Sequence, residues 1–282
     1  MRTSRKIIIV VAVVVVAILA ISLYEGAMES SSVGPAWSSA ARYPLQLNGV
    51  FGIAEGSFAE YARARADKLA PRPSNLTFVQ AAAVPVSGLT ALQAVRDRGH
   101  VQAGQQVLVI GASGGVGTFA VQIAKAYGAD VTGVCSTAKA DMVKSIGADR
   151  VIDYTRDDIT DRGHRYDVIL DTGGNRPLRQ LRRALTPRGR LVIVGGETGG
   201  RWLGGSDRQL RAVMLSPFTG QHLGTLLCSE NKADLIALTE LIESGQVTPV
   251  IDKIYPLSQT IAAIRHMRDG HARGKVVITF HP

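Results

Sequence analysis

The sequence predicts an α/β protein built on a doubly wound parallel sheet, and three observations carry that prediction. Four apolar residues, Val107, Leu108, Val109 and Ile110, end in a glycine-rich turn, GASGGVG at 111–117, and a helical pattern opens directly behind it. Beyond that unit, strand-like and helix-like segments alternate, which implies parallel pairing through crossover connections. Aromatic residues make up only 5% of a chain that holds 30 glycines and is rich in aliphatics, as expected where strands are buried on both faces.

The elements follow in chain order. Residues 7–23, IIIVVAVVVVAILAISL, form an apolar run just long enough to span a bilayer, preceded by Arg2, Arg5 and Lys6. No A-x-A-like cleavage site follows, so the run reads as an uncleaved single N-terminal anchor rather than a signal peptide. The cations before it, with Glu25 and Glu29 beyond, favour an N-terminus on the cytoplasmic side. That orientation would carry the remainder of the chain away from the reduced cofactor pool, so the side of the globular part is left open. Residues 25–48, rich in Ser, Ala, Gly and Pro, read as a linker. From residue 49 short strands and turns are expected, then a helical stretch over 78–95 broken at Pro85.

The glycine unit combines a strand over 106–110 with a helix whose inner face carries Val116, Ala120, Ile123, Ala124 and Tyr127. Further strands are expected at 131–135, 150–153, 166–171 and 190–196, with helices at 139–146 and 177–185 between them. Residues 195–205 form a glycine-rich loop. A helix over 232–244, a strand over 250–255, a capped helix over 258–268 and a strand over 275–280 complete the reading.

A strand, a tight glycine turn and a helix in that order make the phosphate cradle of a Rossmann-type dinucleotide-binding unit. Gly111, Gly114 and Gly117 let the backbone turn, approach a pyrophosphate and pack the helix on the sheet. The first-turn amides and the positive end of the helix dipole face the anion. The same residues also read G-x-S-x-G, the nucleophile elbow of an α/β-hydrolase, with Ser113 followed by Asp171 and His222 in the right order. Gly117 has no role in an elbow and no HGGG-type segment precedes it, so the cofactor loop ranks first. At the end of the second strand an NAD site places an acid, whereas here the chain reads Cys135-Ser136-Thr137-Ala138-Lys139. A hydroxyl and a cation suit a 2′-phosphate, so NADPH is the expected cofactor.

The net charge of +9 is mostly arginine, densest over 179–190, and no aromatic interleaves that run, so no nucleic-acid partner is expected. Cys135 and Cys228 show neither disulfide nor zinc spacing, and His266 and His271 stand five apart, so no metal is expected.

The segments GSFAEYA (56–62), AAAVPVSGLTALQAV (81–95), GASGGVG, GADRVIDY (147–154), YDVILDTGG (166–174) and ARGKVVI (272–278) resemble the zinc-independent medium-chain dehydrogenase/reductases, in the quinone oxidoreductase-like branch. The resemblance runs from Phe51 to Phe280. It implies that Ser113, Gly114, Gly115, Val116 and Gly117 form the pyrophosphate loop. It also implies that Ser136, Lys139 and Tyr154 line the 2′-phosphate pocket and that Thr90 stands beside the nicotinamide. Metal-free hydride transfer to a quinone, enone or carbonyl carbon and a homodimer formed through the cofactor domain are implied as well. In that family a substantial catalytic segment precedes the equivalent of residue 49; here the anchor-like run and linker take its place.

The domains are therefore expected as an anchor at 1–24, a linker at 25–48, the remnant of a GroES-like catalytic domain at 49–98 and 250–282, and a Rossmann domain at 99–249. Expected function is NADPH-dependent oxidoreduction. The alternative is a degenerate module that binds NADPH and acts through a partner or at a membrane. No catalytic acid is assigned; Tyr61 and Tyr255 are donors by chemistry alone.

Overall fold

A six-stranded parallel sheet organises the fold. The structure is a computed structural model, and it describes residues 50–53, 64–160, 163–174, 176–195, 207–270 and 272–279. All of them lie in one compact unit, Leu47–Pro282. The apolar run at 7–23, the linker, Tyr61, His271, Phe280 and most of the glycine-rich loop fall outside the described residues. Among the described residues no helix is long and apolar enough to cross a membrane.

The chain opens with β1 (Val50–Gly52) paired antiparallel to β2 (Leu69–Pro71). Helix α1 (Phe78–Ala82) starts at Thr77 in a capping box with Gln80. Pro85, expected as a break, opens α2 (Pro85–Gln93) instead, where its fixed φ suits the first turn. A π-helical turn, Ala94–Arg98, continues α2. The sheet then runs β3 (Gln106–Ile110), β4 (Asp130–Cys135), β5 (Arg150–Asp153), β6 (Tyr166–Asp171), β7 (Leu185–Ile193) and β8 (His222–Thr225). Their order across the sheet is β5-β4-β3-β6-β7-β8, with every neighbour parallel. This is the doubly wound order, and it reverses between β3 and β6.

Both sheet faces are covered. Val107, Val109, Val168, Leu170 and Val192 point into one cluster with Leu89 and Leu92 of α2 and Phe119 and Ile123 of α3 (Gly115–Ala126). Leu108, Ile110, Ile169, Leu191 and Ile193 point into the other, with Leu181 of α5 (Leu178–Ala184) and Ala212 of α6 (Asp207–Leu215); α4 (Ala140–Ser145) joins β4 to β5. Alternate residues of one strand thus feed opposite layers, which is why the strands read as unbroken apolar runs. Helix α3 is buried from Gly117 to Ala124, not on one stripe alone. Each fully buried Leu or Ile contributes about 1.5–3 kcal/mol.

Helix α7 (Lys232–Glu243) is fixed to the π turn by the buried Asp234, which accepts from Gln93 Nε2 at 2.7 Å, Arg96 Nη2 at 2.6 Å and Asn231 Nδ2 at 2.8 Å. Last come β9 (Ile251–Pro256), α8 (Thr260–Arg268) and β10 (Lys275–Thr279), with β10 parallel to β9. The expected cap on α8 is absent: its first residues are preceded by a 3₁₀ turn, Leu257–Gln259, and no side chain caps it. Strand β7 begins five residues before the expected 190, and α6 and β8 are elements that periodicity did not reveal.

Candidate active site

The glycine loop sits at the carboxyl ends of β3 and β6, where the strand order reverses. Gly111 takes a φ of +79°, and a Cβ there would lie 2.7 Å from Thr172 Oγ1 and 3.1 Å from Gly173 N. Gly117 is the tightest position: its Cβ would lie 2.0 Å from the carbonyl oxygen of Gly111. The loop is held to β4 by the amides of Gly111 and Ala112, which donate to Val134 O at 3.2 and 3.0 Å. Thr172 Oγ1 donates to Ile110 O at 2.7 Å, joining the turns after β3 and β6.

Helix α3 begins behind Gly114 without a side-chain cap, and its first backbone bond runs from Thr118 N to Gly114 O at 3.0 Å. The amides of Gly115, Val116 and Gly117 therefore have no intrahelical acceptor, which leaves an anion cradle. Beside it a cavity of about 330 Å³ is lined by Ile110, Gly111, Ser113, Val134, Cys135 and Tyr154, with Gly173 and Arg176. Burial pushes the Cys135 thiol up to about 11, so it is an inert wall. A cradle closed to a Cβ at Gly111 and Gly117, beside an apolar cavity, fits a dinucleotide.

Of the predicted residues, Ser113 and Gly114 to Gly117 form the loop and helix start, and Ser113 and Tyr154 line the cavity. Ser136 directly follows β4 and its hydroxyl makes no cap hydrogen bond. Lys139 Nζ donates to Gly270 O at 2.9 Å and Ala272 O at 2.8 Å. An ammonium has three donors, so one is left for a ligand. Thr90 lies on α2, one turn beyond Ser87, with its hydroxyl donating to Val86 O at 2.7 Å.

The C-terminal strand supplies residues that the sequence reading missed. Gly274 N donates to Ser113 O at 2.9 Å, which brings Lys275 over the start of α3. A Cβ on Gly115 would lie 3.1 Å from Lys275 Cδ and 3.4 Å from Ser87 Oγ. Lys275 Nζ donates to Ser87 Oγ at 2.9 Å, and burial holds its ammonium below the ordinary lysine range. The only sequence signal was a lysine behind Gly274, whose φ of +89° brings it against Val250 O. Asp153 was missed too. It pairs with Cys135 across β4 and β5, so a carboxylate does stand near the end of the second strand. Its oxygens are taken by the hydroxyls of Thr137 and Thr155, by Thr155 N at 3.0 Å and by Arg156 at 3.7 Å. These bonds hold its pKa below the usual carboxylate range.

The hydrolase reading fails on register. Asp171 is level with Ile193 and Thr225, whereas His222 is level with Arg190, three residues nearer the amino ends of the strands and roughly 10 Å away along the strand. The Asp171 carboxylate, fully buried, accepts from Arg208 Nη1 at 2.7 Å and Gly174 N at 3.1 Å. Arg208 also donates to Arg176 O at 3.0 Å and Gly195 O at 3.2 Å, so this pair anchors the turns after β6 and β7. Tyr255 packs on His266 with ring centroids 6.3 Å apart. It stands four residues along β9 from Ile251, roughly 13 Å from the end that meets the loop.

Comparison with known proteins places this geometry. A family described as "Zinc-binding dehydrogenase" matches residues 146–278. Among the described residues, however, no group of three His, Cys, Asp or Glu side chains could hold a metal ion, so the zinc in that description finds no ligand set in them. The mitochondrial NAD(P)H oxidoreductase RTN4IP1 of Mus musculus is 31% identical over 79% of this chain and 61% of its own length, so the chain spans about three fifths of that relative. The "Chloroplast envelope quinone oxidoreductase homolog" of Arabidopsis thaliana is 32% identical over 79% of this chain and 68% of its own. The quinone oxidoreductase from Coxiella burnetii superposes with a TM-score of 0.70 at 29% identity, over 81% of this chain and 71% of that one. On fold, glycine cradle and kinship together, the chain belongs to the quinone oxidoreductase-like branch of the medium-chain dehydrogenase/reductases.

Proposed function

We propose that the chain is an NADPH-dependent oxidoreductase that reduces a quinone, enone or carbonyl acceptor without a metal. The observation that carries this reading is the cradle: three amides without an intrahelical acceptor behind a glycine turn closed to a Cβ at Gly111 and Gly117, opening on the cavity that Tyr154 lines. In this reading Ser113 to Gly117 receive the pyrophosphate, with the Lys275 ammonium as counter-charge, and Thr90 stands by the nicotinamide. The third donor of Lys139 and the Ser136 hydroxyl take the 2′-phosphate. Asp153 already accepts three hydrogen bonds from Thr137 and Thr155, which leaves little of its carboxylate for a ribose 2′-hydroxyl and supports NADPH over NADH. When bound, the cofactor supplies a hydride from nicotinamide C4, and the protein's part is to hold donor and acceptor in register.

A second reading, binding without turnover, is favoured by the position of Tyr255, a donor by chemistry, which stands about 13 Å along its strand from the end that meets the loop. Turnover decides between them. NADPH oxidation followed at 340 nm with a panel of quinones, enones and aldehydes should give saturable rates with one class. Tight binding with no rate above the uncatalysed one on every acceptor would establish the second.

Residues 99–249 serve as the cofactor domain in this account, and 49–98 with 250–282 as the catalytic part. Strand β8 has a free edge among the described strands, which supports a homodimer formed through the cofactor domain. Light scattering after gel filtration tests it. The apolar run at 7–23 supports a membrane anchor, and carbonate extraction tests that.

A further inference from the structure

Arg179, Arg182 and Arg183 of α5 line one open cleft of about 480 Å³ together with Pro187, Phe218 and Gln221. Its position separates it from the cofactor cradle. Helix α5 runs directly into Leu185, which is level with Tyr166, the first residue of β6, and Gln221 immediately precedes β8. The cleft therefore lies at the amino ends of the strands, and the cradle lies at their carboxyl ends.

The floor is built from fitted backbone. Gln221 Nε2 donates to Arg182 O at 2.9 Å and Thr186 O at 3.3 Å, and Arg182 Nε donates to Gln221 Oε1 at 3.2 Å. A Cβ on Gly220 would lie 2.9 Å from Pro187 O. Among the described residues none of the three arginines forms an ion pair with a carboxylate. Like charges three and four residues apart destabilise a helix. The helix C-terminus accounts for Arg182 and Arg183 in the last turn, but not for Arg179. Phe218, 77% exposed, stands on the rim, so the fold supplies beside the arginines the aromatic that the linear run lacks.

We propose that this cleft is a second nucleotide site, taking a nucleoside polyphosphate with its phosphates on the guanidinium groups and its base against Phe218. Guanidinium forks match phosphate oxygens, and an exposed ring offers a stacking surface for any base. Its volume is in the range of small-ligand clefts. This inference rests on a part of the molecule remote from the cofactor reading.

The test is calorimetric titration of ATP and of inorganic tripolyphosphate into the full chain saturated with NADPH. Both should bind. The double variant Arg179→Ala, Arg183→Ala should weaken both about a hundredfold, roughly tenfold per charged hydrogen bond. Phe218→Ala should weaken ATP about tenfold and leave tripolyphosphate unchanged. NADPH affinity should be unaltered in each variant, which keeps failure of this site distinct from failure of the cradle. The proposal is overturned if ATP does not bind the NADPH-saturated protein, or binds the double variant with native affinity. Equal loss of ATP and tripolyphosphate in Phe218→Ala would overturn the base site.

Discussion

Gly117→Ala isolates the packing on which the cradle depends. An added Cβ would meet Gly111 O at 2.0 Å and Ala112 Cα and Gly111 C at 2.8 Å, all backbone atoms with no rotamer to turn. Restoring an ordinary contact requires helix and loop to part by about 1.4 Å. Alanine in a helix gains about 0.5–1 kcal/mol over glycine, whereas overpacking a closed site costs about 1–3 kcal/mol. The balance is a loss of up to about 2.5 kcal/mol, or up to about 10 °C in Tm for a unit of this size. Binding suffers more. Moving the α3 amides by that distance takes a 2.9 Å hydrogen bond beyond 3.5 Å. Loss of two charge-assisted bonds costs at least about 3 kcal/mol, a hundredfold or more in Kd. Thermal melts and NADPH fluorescence titration measure both effects. Gly114→Ala is the control for stability, since its Cβ meets only Gly111 O, at 3.3 Å, and its φ is −83°. It should melt within about 2 °C of the native protein. A Gly117→Ala protein with native Tm and native NADPH affinity would refute the packing argument.

Lys275→Met should weaken NADPH about tenfold while leaving Tm equal or higher, because a desolvated ammonium is removed. The lysine's folded pKa lies below its unfolded value of about 10.4, so native stability should rise as pH climbs toward that value, and the slope should flatten in the variant; pH-dependent melts check the sign. Asp171→Ala should lower stability by about 3–5 kcal/mol in urea unfolding, since it leaves Arg208, itself only 16% exposed, without its carboxylate. Cys135, with its thiol pushed up to about 11, should resist iodoacetamide at pH 8 in the folded protein and react once unfolded, as read by mass spectrometry.

The parallel core was legible because each buried strand leaves an apolar run, and the bounds of 150–153 and 166–171 coincide with β5 and β6. Strand β8 escaped notice because four residues, one of them Gly224, carry no periodicity, and an edge strand is only partly buried. Helix α6 was hidden for a related reason: Val213, Met214 and Leu215 are exposed, so its apolar residues do not mark an inward stripe. The cradle was visible because its physics is local to residues 106–128. Lys275 and Ser87 were not, being 188 residues apart and joined only by the return of β10. Asp153 was missed for the same kind of reason. The test for an acid scans along one strand end, while the carboxylate arrives from the neighbouring strand and is spent on threonine hydroxyls.

The central claim is a cradle that selects NADPH. Its most direct test is calorimetric titration of NADPH and of NADH into the full chain in detergent micelles, repeated with Lys139→Ala. The account predicts tight binding of NADPH, weak binding of NADH, and a loss in the variant confined to NADPH. Equal affinity for the two cofactors, or no binding by a folded protein, would contradict it.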